Sequence, residues 1–183
     1  MVQAKLNNLA PELAVSEWFN TDKPITLAGL RGRVVLLHAF QLLCPGCVSD
    51  ALPQIRKVEH FFRRSELQVI GLHSVFEHHA AMTPVTLKAF IQEYRLTSPI
   101  GIDLADGTSP LPVTMRRYAF QGTPSTVLIG RDGKILHQSF GVEDDMVVGA
   151  RIASALSMPI PEVAAPQPTA ETCADGVCAA PVA

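Results

Sequence analysis

The run Val34-Val35-Leu36-Leu37-His38-Ala39-Phe40 leads almost directly into Cys44-Pro45-Gly46-Cys47. From Cys47, apolar residues recur at Val48, Ala51, Leu52, Ile55, Val58, Phe61 and Phe62, which is helical spacing. No other feature restricts the fold as much. A continuous β-prone apolar run is a strand buried on both faces. A strand that turns straight into a helix belongs to an α/β layout. Two thiols occupy the junction, and Pro53 predicts a kink in the helix beyond it.

The rest of the body follows the same alternation. Gln68-Val69-Ile70-Gly71-Leu72-His73 reads as a second buried strand. Thr83-Pro84, followed by Leu87, Phe90, Ile91 and Tyr94, reads as an N-cap, a first-turn proline and an amphipathic helix. Val127-Leu128-Ile129-Gly130 and Ile135 to Phe140, joined through Asp132-Gly133, read as a β-hairpin. A last helix is expected from about Glu143 to Leu156. The predicted order is β-α-β-α-β-β-α, with helices on both faces of a central sheet.

Composition bounds the function. Lys and Arg total 15 against 17 Asp and Glu, a formal net charge of −2 that argues against a nucleic-acid partner. No apolar run reaches the roughly 18 residues of a membrane span, so no membrane partner is expected. The opening residues Met1 to Asn8 show no basic stretch followed by an apolar one, which predicts a cytoplasmic protein. Composition changes near Met158. Residues 159–183 carry Pro159, Pro161, Pro166, Pro168 and Pro181, with no aromatic residue, Lys or Arg. Such a segment buries too little apolar surface to offset its ordering entropy. One domain over residues 1–158 and a flexible or weakly docked C-terminal tail over 159–183 are therefore predicted.

The four cysteines form two close pairs, Cys44/Cys47 and Cys173/Cys178. Close pairs in a reducing compartment are redox-active or metal-binding. A thiol at a helix N-terminus faces free backbone N–H groups and the positive end of the helix dipole, and both stabilise a thiolate. Cys44 is the expected attacking thiol. Cys47, three residues on, is the expected resolving thiol, with Pro45 and Gly46 setting the turn between them. A zinc site would need two further ligands, so no metal and no cofactor are expected.

These residues, together with Gly122-Thr123-Pro124 ahead of Ser125-Thr126-Val127-Leu128-Ile129, resemble the thioredoxin superfamily. Within it the body, about residues 9–157, is similar to the TlpA/ResA-type thiol–disulfide oxidoreductases and related AhpC/TSA-like redoxins. Ile25-Thr26-Leu27, Leu30 to Val35, Pro99 to Asp103 and the Arg131-Asp132-Gly133-Lys134-Ile135 turn support the likeness. The resemblance implies a thioredoxin-like fold with a mixed sheet. It also implies that Pro124 is a cis-proline facing the disulfide and that the Thr123 backbone pairs with an extended substrate segment. Disulfide-bearing proteins or small thiols would be substrates. A thioredoxin reductase or a low-molecular-weight thiol would supply electrons. Three positions depart from the family pattern: Leu43 replaces a tryptophan, Pro53 comes one residue late, and His38 replaces a buried acid. His38 is expected either to relay the Cys47 proton near neutral pH or to be a hydrogen-bonded core residue.

Other readings stay open on sequence alone. His73, Glu77, His78 and His79 follow the second strand and form either a polar loop or a group that gates, protonates or binds metal beside Cys44. A peroxiredoxin-like, antioxidant thiol peroxidase would need Thr three residues before its reactive cysteine; Gln41 stands there before Cys44 and would be a partial substitute. A non-catalytic carrier could hold Cu(I) or Zn between Cys44/Cys47 and Cys173/Cys178. The Cys173/Cys178 pair is otherwise a second dithiol that exchanges with Cys44/Cys47, within a flexible reach of roughly 20 Å, or is inert.

Overall fold

The computed structural model describes residues 6–159. Its strands are β1 (Val15–Phe19), β2 (Val34–Phe40), β3 (Leu67–His73), β4 (Ile100–Asp103), β5 (Ser125–Ile129) and β6 (Ile135–Phe140). Its helices are α1 (Leu52–Phe61), α2 (Pro84–Glu93), α3 (Val113–Arg117) and α4 (Asp145–Ser157). They form a six-stranded sheet in the order β1-β4-β3-β2-β5-β6. The pairs β2–β3 and β3–β4 are parallel, while β1–β4, β2–β5 and β5–β6 are antiparallel. This is the mixed sheet of a thioredoxin-like fold.

β2 lies in the middle and is buried at every position. Alternation divides its side chains between two layers. Val34 and Leu36 pack with Ile55 and Val58 of α1 and Val148 and Ile152 of α4. Further along the same face, Phe40 packs with Cys47 and with Leu87 and Ile91 of α2. Val35, Leu37 and Ala39 face the opposite layer, where Met115 of α3 and Tyr118 pack with Ile70 and Val127. Each such buried side chain is worth about 1.5–3 kcal/mol. The sheet is therefore anchored at the strand that delivers the cysteines.

Most local predictions hold. Thr83 caps α2, its Oγ1 accepting the N–H of Thr86 at 3.2 Å. The hairpin closes with Gly133 N–H donating to the Gly130 carbonyl at 2.8 Å and Gly130 N–H donating to that of Lys134 at 2.9 Å. Gly133 takes φ +75°, where a side chain would be strained and would run into the Arg31 guanidinium.

Two expectations need correction. The predicted order lacks β1, β4 and α3, which are short and carry weak patterns. The kink expected at Pro53 is instead a π-helical turn over Cys47–Ala51, one turn earlier, in which Leu52 N–H donates to the Cys47 carbonyl. Such a turn holds one extra residue. It absorbs the late position of Pro53, which then falls where the π-helical turn passes into α1.

Candidate active site

Cys44 and Cys47 form a disulfide with their Cα atoms 5.2 Å apart. β2 delivers Cys44 to the sheet edge, where its N–H donates to the Gln41 carbonyl at 3.3 Å. Its own carbonyl accepts from Val48 N–H at 3.1 Å, opening the helix. Cys44 thus stands in the N-cap position. Its Sγ receives the N–H of Cys47 at 3.2 Å, one of the donors a helix start leaves unpaired. Cys44 is half-buried and Cys47 is completely buried.

The loop before β5 closes over the pair. The Thr123–Pro124 peptide is cis. The Thr123 carbonyl oxygen lies 3.4 Å from Cys44 Sγ, a contact that becomes an S–H···O hydrogen bond once the disulfide is reduced. Gly46 passes close beneath Pro124: a Cβ there would stand 3.7 Å from Pro124 Cδ. The loop is tied down by Ser125 Oγ donating to the Gly122 carbonyl at 2.8 Å and by Gly141 N–H donating to that of Pro124 at 2.8 Å. The structure therefore brings the Cys44–Cys47 turn and the Thr123–Pro124 loop together.

The surrounding polar residues differ from expectation. His38 is buried on the Phe40 face of β2 and stacks on that ring at 5.2 Å between centroids. Burial pushes its imidazole down to about 4, so it stays neutral at pH 7 rather than titrating near neutrality. Its Nδ1 has no hydrogen-bond partner, so it is not a fully satisfied core histidine either. Gln41 meets Cys44 only through its backbone; its amide is buried and unpartnered at both ends. His73 is buried against Phe40, and burial pushes it too down to about 4. Glu77, His78 and His79 are exposed, so the four residues after β3 do not form one group. Among the described residues no three His, Cys, Asp or Glu side chains are placed to hold a metal ion. Cys173 and Cys178 lie outside the described residues.

Sequence reasoning missed the apolar rim. Leu43, beside Cys44, is 57% exposed, and Phe140, whose ring lies against Gly122, is 58% exposed. It also missed Asp103, a buried carboxylate that accepts from Thr114 N–H, Met115 N–H and Ser74 Oγ at 2.8, 3.0 and 2.9 Å. Burial pushes its carboxyl up against those donors. The only sequence signal was an acid at the end of a short apolar run.

The profile of the redoxin family matches residues 5–152. The chain belongs to the redoxin family. DipZ of Mycobacterium bovis is 30% identical over 169 residues, covering 91% of this redoxin and 23% of DipZ. The chain thus spans about a quarter of that relative's length. The thiol–disulfide oxidoreductase ResA of Bacillus cereus is 26% identical over 132 residues, 72% of this chain and 68% of ResA. A solved thioredoxin-like superfamily protein matches with TM-score 0.81 and 46% identity, covering 84% of this redoxin and 99% of that chain. A thiol–disulfide isomerase from Corynebacterium glutamicum matches with TM-score 0.79 and 44% identity, covering 84% and 98%. This redoxin thus carries its Cys44–Cys47 pair on a thioredoxin-like fold, and the proteins similar to it include a thiol–disulfide oxidoreductase and a thiol–disulfide isomerase.

Proposed function

We propose that this redoxin exchanges its Cys44/Cys47 dithiol with disulfides of protein or small-thiol partners, Cys44 attacking and Cys47 resolving. One observation carries the assignment. Cys44 is half-buried and its Sγ accepts a helix-start N–H, whereas Cys47 is completely buried. The N–H stabilises a thiolate at the accessible position. In the reducing direction the Cys44 thiolate attacks a partner sulfur, the partner's S–S bond breaks, and the distal partner sulfur leaves as a thiolate. Cys47 then attacks Cys44, the mixed disulfide breaks, and two electrons have moved from the dithiol to the partner. An upstream thiol reductant, either a reductase or a low-molecular-weight thiol, restores the dithiol.

The geometry at Thr123 and Pro124 supports an extended partner segment, with Leu43 and Phe140 supplying apolar contact on either side. The test is to trap intermediates. Cys47→Ser is expected to accumulate mixed disulfides linked through Cys44, and Cys44→Ser none. Trapping that requires Cys47 and survives loss of Cys44 reverses the assignment.

A further inference from the structure

α1 and α4 pack on the same layer of the sheet, and an open groove of about 210 Å³ lies between them. Val58, Phe61 and Phe62 line it from the α1 side, Met146 and Gly149 from the α4 side. Phe61 is 76% exposed and Met146 83% exposed. Nothing lies within 4 Å of the point where a Gly149 Cβ would stand. Two large apolar side chains thus flank an open floor at Gly149, and no described residue covers them.

The groove points toward the disulfide. At one end Gln54 Nε2 donates to the Glu143 carbonyl at 2.7 Å and to Asp145 Oδ1 at 2.9 Å, and Lys57 Nζ pairs with Asp145 at 2.6 Å. Gln54 lies about 10 Å along the helix from Cys47. From there α4 runs away from the disulfide. Near its other end the Leu156 carbonyl accepts from Arg131 Nη2 at 3.1 Å. Arg131 follows β5, whose Ile129 pairs with Val35 at the start of β2, whereas Cys44 follows the end of β2. The chain therefore leaves α4 at Met158, in extended conformation with ψ 143°, at the end of the sheet opposite the disulfide.

The sequence that follows suits the groove. Pro159, Pro161, Pro166 and Pro168 disfavour a helix and favour an extended course. Extended, proline-rich segments dock in grooves lined by aromatic side chains. Ile160, Val163, Ala164 and Ala165 offer apolar contact. The only charges in residues 160–183 are Glu162, Glu171 and Asp175, while Lys57, Arg63 and Arg64 are exposed on α1 and just after it. Length also fits. Gly149 lies about 13 Å back along α4 from Met158, a distance that about four extended residues cover. From Gly149 past Gln54 to Cys47 is about 20 Å more. The stretch from Val163 to Cys173 reaches about 30 Å when extended.

We propose that residues 160–172 of this chain dock in the groove between α1 and α4 and carry Cys173 and Cys178 to Cys44, as a second dithiol that reduces the Cys44–Cys47 disulfide. The proposal rests on Cys44 being the accessible thiol of the pair. A tail thiolate attacks Cys44 Sγ, the Cys44–Cys47 bond breaks, and Cys47 leaves as a thiolate. The second tail thiolate then attacks the first, the bond to Cys44 breaks, and Cys44 leaves as a thiolate. Two electrons have moved from the tail to the active pair, and the tail is left as a Cys173–Cys178 disulfide. The upstream thiol reductant then acts on the tail. With a partner disulfide in excess, the tail of Cys47→Ser is itself oxidised after one exchange, so Cys44 still accumulates the partner.

The experiment uses the full-length chain as Cys47→Ser/Cys178→Ser, which keeps one active-site thiol and one tail thiol, equilibrated in glutathione redox buffers. Peptide mapping is expected to find a Cys44–Cys173 disulfide within one molecule, at an effective concentration of about 1 mM or more. Adding Phe61→Glu and Met146→Glu, both at exposed positions, is expected to lower that value on the order of tenfold. These two substitutions are expected to leave unchanged the first thiolate release from dithiobis(nitrobenzoate), which reports attack by Cys44. Absence of the Cys44–Cys173 link overturns the relay, and a link found only between two molecules overturns it as well. An undiminished effective concentration with Glu at both positions overturns docking in the groove. A first release that survives Cys44→Ser instead removes the underlying assignment of Cys44 and Cys47.

Discussion

The Thr123 carbonyl oxygen and Cys44 Sγ stand 3.4 Å apart, on a sulfur that also receives the Cys47 N–H at 3.2 Å. The two contacts oppose each other. The N–H favours a thiolate, while the carbonyl favours a thiol that can donate to it. The sulfur's reactivity therefore depends on how closely the loop before β5 is seated against the helix start.

Gly46 controls that seating. A Cβ at this position stands at an ordinary contact distance of 3.7 Å from Pro124 Cδ, and the Gly46 backbone is helical with φ −63°. Gly46→Ala is expected to behave like the native protein. Gly46→Val places branched methyls against Pro124 and is expected to slow the first thiolate release about tenfold, with little loss of stability. Stopped-flow kinetics of both variants, beside their thermal midpoints, check this.

The buried histidines predict acid sensitivity. Burial lowers His38 and His73 from 6.5 to about 4, so below pH 6.5 the unfolded chain binds protons that the native protein refuses. Stability from each is present above pH 6.5 and is lost as pH falls toward 4, roughly 3 kcal/mol per histidine at the limit. The raised carboxyl of Asp103 works in the opposite sense on acidification. The comparison is therefore between native protein and His73→Phe, both with the disulfide intact. Denaturant unfolding at pH 7.5 and 4.5 is expected to show a smaller acid loss in the variant. An equal loss in both proteins contradicts the account.

The contrast between residues read correctly and residues missed is a contrast of range. β2, α2 and the hairpin were legible because Val34 to Phe40, Thr83-Pro84 and Asp132-Gly133 carry their signals within a few neighbours. β1 escaped because Ser16 and Glu17 break its pattern, and it is held by antiparallel pairing to β4, about 85 residues away, across a bulge. The π-helical turn shows in sequence only as a late proline. The pairing of Thr126 with both His38 and Ser139 depends on long-range register, which no local pattern carries. Cys44 and Cys47 were evident; the depth at which His38 and Gln41 lie, and their lack of partners, was not.

Two glycines give opposite stability predictions. A Cβ on Gly71 would stand 2.9 Å from Ile100 Cγ1, 3.2 Å from His38 Nε2 and 3.3 Å from Phe40 Cε1. Gly71→Ala is expected to cost about 1–3 kcal/mol by overpacking. Gly149 lies within α4 with nothing within 4 Å of a Cβ. Gly149→Ala is expected to gain about 0.5–1 kcal/mol by favouring the helix. Chemical denaturation of the pair tests both signs in one experiment.

Gln41 separates disulfide exchange from peroxide chemistry. It stands three residues before Cys44, where a peroxidase would place a hydroxyl to hold the peroxide. Its amide is instead completely buried, with neither Nε2 nor Oε1 bonded. A buried amide left unpaired costs about 1–3 kcal/mol, and an apolar side chain of similar size carries no such cost. Gln41→Leu is therefore expected to be as stable as the native protein or more so, by about 1 kcal/mol. It is also expected to keep the native rate with dithiobis(nitrobenzoate). Reduced native protein should lose its thiols to that disulfide far faster than to hydroperoxide. The opposite pattern would give Gln41 a peroxide-binding role: rapid hydroperoxide consumption through a sulfenate at Cys44, abolished by Gln41→Leu while disulfide exchange persists. Mass spectrometry of oxidised Cys47→Ser distinguishes the two, because without the second thiol exchange leaves a mixed disulfide on Cys44, whereas peroxide attack adds oxygen to it.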